Sequence, residues 1–309
     1  MPLIMDELTK HFEVLKLWEQ ADEKAFLAEN AAKVRAIAGS IHARRADESF
    51  MKLFPNLQIV SNFGVGYDGV DAVYAGRNNI IVTNTPDVLT DEVADLAVGL
   101  LLSTVRQLPQ ADNYLRAGKW LNAAFPLTTT LRGRTMGILG LGRIGKAIAK
   151  RAESFGVKIA YNGRNKQADV DYSFYADLTA MAREVDILMI VAPGGESTRR
   201  IVNKEVIEAL GPNGILINVA RGTVVEEPAL IEALKSKKIL AAGLDVFEHE
   251  PKVPADLIAM DNVVLLPHVG SASVETRRAM GQLVVDNVVA FAAGKGPLTP
   301  VPETPWRKA

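Results

Sequence analysis

The chain contains no cysteine among its 309 residues. It therefore has no disulfide bond, no thiolate nucleophile and no metal or iron–sulfur site built on cysteine. This composition fits a reducing compartment, so we expect a cytoplasmic protein. Only four residues are histidines, which leaves few candidates for a general acid or base, and no metal site is expected.

The sequence also lacks a large excess of positive or negative charge, since its formal net charge is −1. The sequence thus gives no electrostatic reason to expect a nucleic acid or an anionic membrane as a partner. No apolar run approaches the ~20 residues of a membrane span. The acidic pair Asp6 and Glu7 comes too early for a signal peptide, so neither a span nor a leader is expected.

The most informative stretch is MGILGLGRIGKAIAK at 136–150. Three glycines follow a short apolar run and precede a helical pattern, which is the fingerprint of a dinucleotide-binding βαβ unit. Gly140 allows a tight turn, Gly142 lets the backbone approach a pyrophosphate, and Gly145 lets the helix pack close to the strand. The start of that helix offers N–H groups and a positive dipole end to the phosphates.

Length and pattern together predict an α/β fold with two doubly wound parallel-sheet domains. The predicted domains are 1–98 with 288–309, and 99–287, which contains the glycine loop and should bind the dinucleotide. Strands are predicted at 12–17, 34–39, 57–61, 79–83, 136–139, 157–161, 186–191, 215–219, 241–246 and 263–266. Helices are predicted at 22–33, 47–53, 93–108, 146–155, 204–210, 227–236 and 273–293.

Residues 118–131 carry Trp120, Phe125 and Pro126 without clear periodicity. Two interpretations stay open from the pattern alone. The segment is either an extended arm that packs on a second subunit or a surface loop on its own chain.

The end of the predicted strand 157–161 bears on which nucleotide binds. A dinucleotide-binding unit for NAD usually has an acidic residue there, which binds the ribose 2′-hydroxyl. Here Asn162 takes that place, and Gly163, Arg164 and Lys166 follow. A neutral residue beside a guanidinium attracts a 2′-phosphate, so we predict that NADP(H) is preferred over NAD(H). The alternative is that Arg164 is a solvated surface charge.

Three residues are candidates for the chemistry. His268 and Arg221 each follow a buried strand, at the edge where open α/β sheets bind ligands. A carboxylate bonded to the histidine would stabilise its imidazolium, and spacing alone does not choose between Glu248 and Glu250. The other histidines are His11, His42 and His249, none of them in a suggestive context.

Five motifs in order resemble the D-isomer-specific 2-hydroxyacid dehydrogenase family over nearly the full chain. They are NTPDVLTDEVADLA at 84–97, GLGRIG at 140–145, INVARG at 217–222, GLDVFEHEP at 243–251 and LPHVGSAS at 266–273. The resemblance is closest to NADPH-dependent glyoxylate/hydroxypyruvate reductases and plant-type hydroxyphenylpyruvate reductases. It implies two Rossmann-like or flavodoxin-like domains, with the domain of 1–98 and 288–309 binding substrate and an active-site cleft between the two.

The resemblance also implies roles for individual residues. Arg221 would bind the substrate carboxylate and polarise the carbonyl, with His268 as acid/base and Glu250 as its partner. Substrate would also contact the backbone of Val65 and Gly66. The implied cofactor contacts are Gly140, Gly142, Arg143, Ile144, Gly145, Asn162, Gly163, Arg164, Pro193, Ala220 and Asp245, the last at the nicotinamide carboxamide.

The predicted activity is NADPH-dependent reduction of a small 2-oxo acid, glyoxylate or hydroxypyruvate, to the 2-hydroxy acid. The alternatives are a reductase of hydroxyphenylpyruvate or another bulkier 2-oxo acid, and a non-catalytic dinucleotide-sensing regulator. The family implies a homodimer built on residues 90–131, and no appended regulatory domain is expected. One departure from the family pattern is Gly194-Gly195 after Pro193, where Leu-Thr is frequent, so contacts to the cofactor there are in question.

Overall fold

The computed structural model describes residues 2–40 and 44–307, so one of the four histidines, His42, lies outside the described residues. The chain forms two compact units, Met1–Leu89 with Ser273–Ala309, and Thr90–Ala272. These boundaries differ from the predicted ones at 98/99 and 287/288, because each long helix near a boundary belongs whole to one unit.

The first unit contains a three-stranded parallel sheet in the order β1-β2-β3. Its elements are α1 (Pro2–Leu8), α2 (Glu23–Asn30), β1 (Ala36–Gly39), α3 (Glu48–Met51), β2 (Ile59–Asn62), α4 (Ala72–Arg77), β3 (Ile81–Thr83) and, after the second unit, α12 (Val274–Ala292). Aspartates cap three of these helices: Asp22, Asp47 and Asp71 each accept a bond from a first-turn N–H. The core includes Val60 and Val82, both fully buried.

One predicted element of this unit is wrong. Residues 12–17 alternate like a half-buried strand, but the structure has irregular backbone there, leading into a 3₁₀ turn at Leu17–Glu19. Alternation predicts a strand only where a neighbouring strand pairs with it, and the described three-stranded sheet ends at β1. Ahead of this segment the chain forms the helix α1, which packs on α12.

The second unit is built on a seven-stranded parallel sheet in the order β10-β9-β8-β7-β4-β5-β6. Its strands are β4 (Thr135–Leu139), β5 (Lys158–Asn162), β6 (Ser173–Tyr175), β7 (Ile187–Ile190), β8 (Ile215–Asn218), β9 (Ala241–Leu244) and β10 (Val263–Leu265). Its helices are α5 (Thr90–Arg106), α6 (Leu108–Arg116), α7 (Arg143–Glu153), α8 (Leu178–Glu184), α9 (Lys204–Ala209), α10 (Glu227–Lys235) and α11 (Ala255–Ile258). The strand order reverses beside β4, which is the switch point where such sheets bind ligands.

The long helix predicted at 93–108 is two helices. α5 ends at Arg106, Gln107 adopts a left-handed conformation with φ 49°, and α6 begins at Leu108. The buried face of α5 packs on α7 and on β8, β9 and β10, so the helix belongs to the second unit. Its first turn is tied to α7 by Arg151, which bonds Asp91 at 2.9 Å and Asp95 at 2.5 Å.

In residues 2–40 and 44–307, no helix combines the length and apolar character needed to cross a membrane. The same residues hold no group of three or more histidine, aspartate or glutamate side chains arranged to bind a metal ion.

Candidate active site

The glycine loop joins β4 to α7 at the switch point of the seven-stranded sheet. Gly140 has φ 97°, and a Cβ there would lie 2.8 Å from the backbone of Ala192, so only glycine fits this turn. Gly142, the N-cap of α7, is different, because a Cβ built on it meets no protein atom within 4 Å. Protein packing therefore does not require glycine at 142, whereas close approach of a pyrophosphate does.

The loop thus fits a dinucleotide on two structural observations. Open space lies beside Gly142, and α7, which starts at Arg143 and Ile144, presents its N-terminal N–H groups there. The buried Gly145 faces the carbonyl of Gly140, which allows the tight packing of α7 on β4 that the sequence predicts.

Asn162 ends β5 and is only 7% exposed. Its amide nitrogen donates to the carbonyls of Tyr175, at 2.8 Å, and Ala176, at 3.3 Å. A carboxylate at this position would face both carbonyl oxygens without a proton to share. The structure therefore gives Asn162 a role that the sequence prediction missed, since it joins the ends of β5 and β6.

The segment after Asn162 is held against the glycine loop. The backbone N–H of Gln167 donates to the hydroxyl of Tyr161, and its side chain donates to the carbonyl of Leu141, both at 2.7 Å. Arg164 lies between Asn162 and Gln167, and its side chain is exposed. Gln167 thereby fixes the backbone of this segment relative to the glycine loop.

The loops after β7 and β8 carry two of the predicted cofactor contacts, Pro193 and Ala220. The carbonyl of Pro193 accepts a 2.6 Å bond from Thr198, which closes the turn containing Gly195. Ala220 donates its N–H to the side chain of Asn218 at 3.0 Å.

Arg221 follows directly, and its Nη1 donates to the carbonyl of Ala220 at 2.8 Å. Its own carbonyl accepts a 3.0 Å bond from Asn218. Gly222 comes next, and a Cβ there would overlap the backbone of Phe247 and Glu248. The bond from Asn218 and the close packing of Gly222 therefore fix the backbone at Arg221.

Asp245 follows β9 and is 1% exposed. Its two carboxylate oxygens accept the N–H groups of Val269, at 2.7 Å, and Gly270, at 2.9 Å, and its carbonyl accepts that of His268. Burial raises the pKa of Asp245, against the two backbone bonds, which lower it. Asp245 therefore shapes the loop that carries His268, and its contact with the nicotinamide stays a prediction.

His268 and Glu250 meet, as the resemblance implies. Nδ1 of His268 lies 2.7 Å from Oε2 of Glu250, and the two side chains are 33% and 34% exposed. Burial pushes the pKa of Glu250 up, but the bond to His268, its charge, the N–H of Phe247 and the charge of Arg221 bring it below its usual value. His268 itself adopts φ 55°, a region that non-glycine residues seldom occupy outside functional sites and turns.

Geometry also separates the two glutamates that spacing could not. The side chain of Glu248 is only 5% exposed and bonds Arg200 at 2.8 Å, while its N–H donates to Glu227. It therefore serves the structure of the loop, and Glu250 is the carboxylate on the imidazole.

Val65 and Gly66 lie in the first unit, in the loop after β2. The carbonyls of Gly64 and Gly66 accept bonds from Asn62, and that of Val65 accepts a 2.8 Å bond from Asn84. In contrast, the N–H groups of Val65 and Gly66 donate to no acceptor within the described part of the chain. The loop thus presents donors, which suits an anion.

Several of these positioning residues share a signal that sequence reasoning passed over. Asparagine ends or follows four strands, and each amide bonds the backbone of a nearby loop or strand end. Short polar side chains at strand ends commonly bond local backbone in this way. The four residues are Asn62, Asn84, Asn162 and Asn218.

Within the second unit, the predicted cofactor contacts lie at the end of a parallel strand, in the loop that follows one, or in the first turn of α7, and the three predicted catalytic residues lie in loops that follow such strands. Because these strands run the same way, their carboxyl ends form one edge of the sheet. The unit therefore gathers a dinucleotide cradle, a guanidinium and a carboxylate–imidazole pair along a single edge.

Comparison with known proteins gives the same assignment of fold. A family profile described as "D-isomer specific 2-hydroxyacid dehydrogenase, NAD binding domain" matches residues 98–270. The chain is 48% identical to the hydroxyphenylpyruvate reductase of Plectranthus scutellarioides, over 96% of this chain and 94% of the relative. It is likewise 48% identical to glyoxylate/hydroxypyruvate reductase A HPR2 of Arabidopsis thaliana, with the same coverage.

Among solved structures, the chain is similar to an NADPH-dependent glyoxylate/hydroxypyruvate reductase from Sinorhizobium meliloti, crystallised with NADP and malonate. The TM-score is 0.94 and the identity 50%, over 100% of this chain and 96% of that one. A 2-hydroxyacid dehydrogenase from Ketogulonicigenium vulgare gives a TM-score of 0.90 at 41% identity, covering 97% and 95% of the two chains.

Proposed function

The chain belongs to the D-isomer-specific 2-hydroxyacid dehydrogenase family, and we propose that it reduces glyoxylate and hydroxypyruvate, to glycolate and D-glycerate, with NADPH. As a family member it is an oxidoreductase with a nicotinamide-dinucleotide-binding domain. The observation that carries the proposal is the 2.7 Å pair of His268 and Glu250 on the same sheet edge as the glycine loop.

The glycine loop at 140–145 would hold the dinucleotide, and its nicotinamide would supply the hydride that reduces C2 of the substrate. His268 supplies the proton. Since Glu250 occupies Nδ1, proton transfer to the substrate oxygen is assigned to Nε2. The carboxylate of Glu250 stabilises the imidazolium form and fixes the ring orientation.

Arg221 is proposed to bind the substrate carboxylate and to stabilise charge that develops on the carbonyl oxygen. Its position supports this role, because Asn218 bonds the carbonyl of Arg221 and the next residue, Gly222, packs tightly against the backbone of Phe247. The N–H groups of Val65 and Gly66 are proposed to bind the carboxylate as well, since the loop turns its carbonyls to asparagine side chains and keeps its donors available.

The preference for NADPH is proposed from Asn162 and Arg164. With the neutral, bonded amide of Asn162 at the end of β5, no carboxylate repels a 2′-phosphate there. Arg164 is exposed and lies on a segment that Gln167 holds to the glycine loop. The similar Sinorhizobium meliloti enzyme, crystallised with NADP, supports this preference.

The deciding experiment measures turnover of glyoxylate, hydroxypyruvate and 4-hydroxyphenylpyruvate with NADPH, by loss of its absorbance. The first two should give the highest kcat/KM. Dominance of the aryl substrate would instead favour the activity named for the Plectranthus scutellarioides relative. Dinucleotide binding without turnover of any 2-oxo acid would contradict the enzyme assignment and favour a dinucleotide-sensing regulator.

The acid role is tested by His268→Asn, because asparagine tolerates the left-handed backbone better than alanine. We expect kcat to fall by about 10²–10⁴-fold while the dissociation constant of NADPH stays within a few-fold. A kcat within a few-fold of wild type would rule out His268 as the acid.

We also propose a homodimer built on residues 90–131. Supporting this, the arm at 118–131 has only a short 3₁₀ turn, and its side chains include the exposed Trp120, Leu121 and Leu127. Light scattering coupled to gel filtration should give twice the chain mass for the wild type. The double variant Trp120→Glu, Leu121→Glu should give a lower molar mass, closer to that of one chain. A monomeric wild type would contradict the proposal. A cytoplasmic location is proposed from the cysteine-free composition and is tested by cell fractionation.

A further inference from the structure

Arg277 lies in the first turns of α12, and its guanidinium sits over the ring of Phe63, with Cζ 5.4 Å from the ring centroid. The side chain is partly buried, and burial lowers its pKa without displacing it from the charged form. Across residues 2–40 and 44–307, its guanidinium forms no hydrogen bond or ion pair with a protein acceptor.

The lack of a hydrogen-bond acceptor is unusual for a partly buried arginine. The partly buried Arg151 bonds two aspartates, and the more exposed Arg200 bonds Glu248. A guanidinium has five N–H donors, and desolvating them without acceptors is unfavourable. The cation–π contact with Phe63 offsets part of this cost but gives the N–H donors no acceptor, so they can bind an anion.

The position of Arg277 indicates which anion. Phe63 directly precedes the loop in which Val65 and Gly66 present their N–H groups, and all four residues belong to the first unit. Asn62 and Asn84 bind the carbonyls of this loop, so its available groups are donors. Two backbone donors, and a guanidinium without an acceptor that contacts the residue just before them, are groups that suit a carboxylate.

We propose that Arg277 is a substrate-binding residue that holds the carboxylate of the 2-oxo acid together with the N–H groups of Val65 and Gly66. The identity of the anion rests on the proposed function. Arg277 belongs to a different unit from His268 and Arg221, and it takes no part in proton transfer. It therefore adds affinity for the substrate carboxylate, which Arg221 is also proposed to bind, but only Arg221 stabilises the charge that develops on the carbonyl oxygen.

The test replaces Arg277 by methionine, which keeps an apolar stem on Phe63, and by glutamine, which keeps donors without charge. Arg278→Met is the matched control, because Arg278 is the exposed neighbour on the same helix. We measure KM and kcat for glyoxylate at saturating NADPH. Calorimetry with oxamate, an unreactive carboxylate analogue, measures binding apart from turnover.

We expect both Arg277 variants to raise the KM for glyoxylate and the Kd of oxamate by about 10–100-fold, the loss typical of one charge-assisted bond. The kcat should stay within about threefold, and the KM for NADPH and the control Arg278→Met should match wild type. Glutamine decides the question if the methionine variant does not fold.

Two results would overturn the proposal. One is a folded Arg277→Gln whose KM and oxamate affinity stay within twofold of wild type, and the other is an equal effect of Arg278→Met. If wild type binds oxamate but turns over no 2-oxo acid, the proposed function fails. Arg277 then stands or falls on whether its variants weaken oxamate binding.

Discussion

Asn162→Asp is the substitution that the usual rule for NAD specificity suggests, because an acidic residue at the end of the second strand binds the ribose 2′-hydroxyl. In this chain we expect it to damage the fold of the second unit. The amide of Asn162 donates two bonds, at 2.8 and 3.3 Å, to the carbonyls of Tyr175 and Ala176 at the end of β6. An ionised carboxylate replaces both donors with acceptors.

The size of the effect follows from these contacts. Losing two bonds in a site that is 7% exposed, and leaving buried acceptors unpaired, costs about 3–5 kcal/mol. For a unit of this size that corresponds to a decrease of about 10 °C in Tm. Protonation would restore one donor to the carboxyl, so the deficit should be largest at alkaline pH and should shrink as the pH falls.

Differential scanning calorimetry between pH 5 and 9 measures this effect. Asn165→Asp is the control, because it introduces the same charge three residues away at an exposed position. A Tm for Asn162→Asp within about 1 °C of the control, at every pH, would refute the reasoning. A shift of kcat/KM toward NADH without loss of stability would refute it as well.

Three further predictions test the site from other directions. Arg164→Ala should lower kcat/KM for NADPH by about 10–100-fold and leave NADH unaffected, since only the 2′-phosphate needs the guanidinium; equal use of both cofactors by wild type would contradict this. The pKa of Glu250 lies below its usual value, so the stabilisation from its bond to His268 is fully present above the unfolded-state pKa and is lost as pH falls through the folded-state pKa. The Tm difference between wild type and Glu250→Gln should therefore vanish in acid. A Tm difference that stays constant with pH would count against the ion pair. Gly222→Ala should lower stability and activity together, because its Cβ would overlap the backbone at Phe247, and a normal Tm would show that the loop can move aside.

The sequence predicted the strands that build the glycine loop and the predicted catalytic loops. Buried parallel strands are continuous apolar runs, and each predicted catalytic residue follows one of them in the sequence. The three-residue strand β6 was missed, because Ser173–Tyr175 is too short and too exposed to form a pattern. With β6 missing, the partners of Asn162 could not be found from the sequence either.

The choice between Glu248 and Glu250 depended on three-dimensional packing. Both follow β9 within a few residues, and nothing local says which one turns inward to Arg200 and which one turns to His268. The resemblance to the family named Glu250, and the geometry shows the bond. Arg277 had no sequence signal, since an arginine near a helix start is ordinary until its neighbours are known.

The loop at Gly64–Gly66 has a consequence for the ionic composition of any buffer. Its three carbonyl oxygens already accept bonds from Asn62, Asn84 and the N–H of Thr85. A metal cation therefore finds no oxygen cage there, whereas chloride or sulfate finds donors. Inorganic anions should compete with the substrate at this loop. The apparent KM for the substrate should therefore increase with the chloride or sulfate concentration of the buffer.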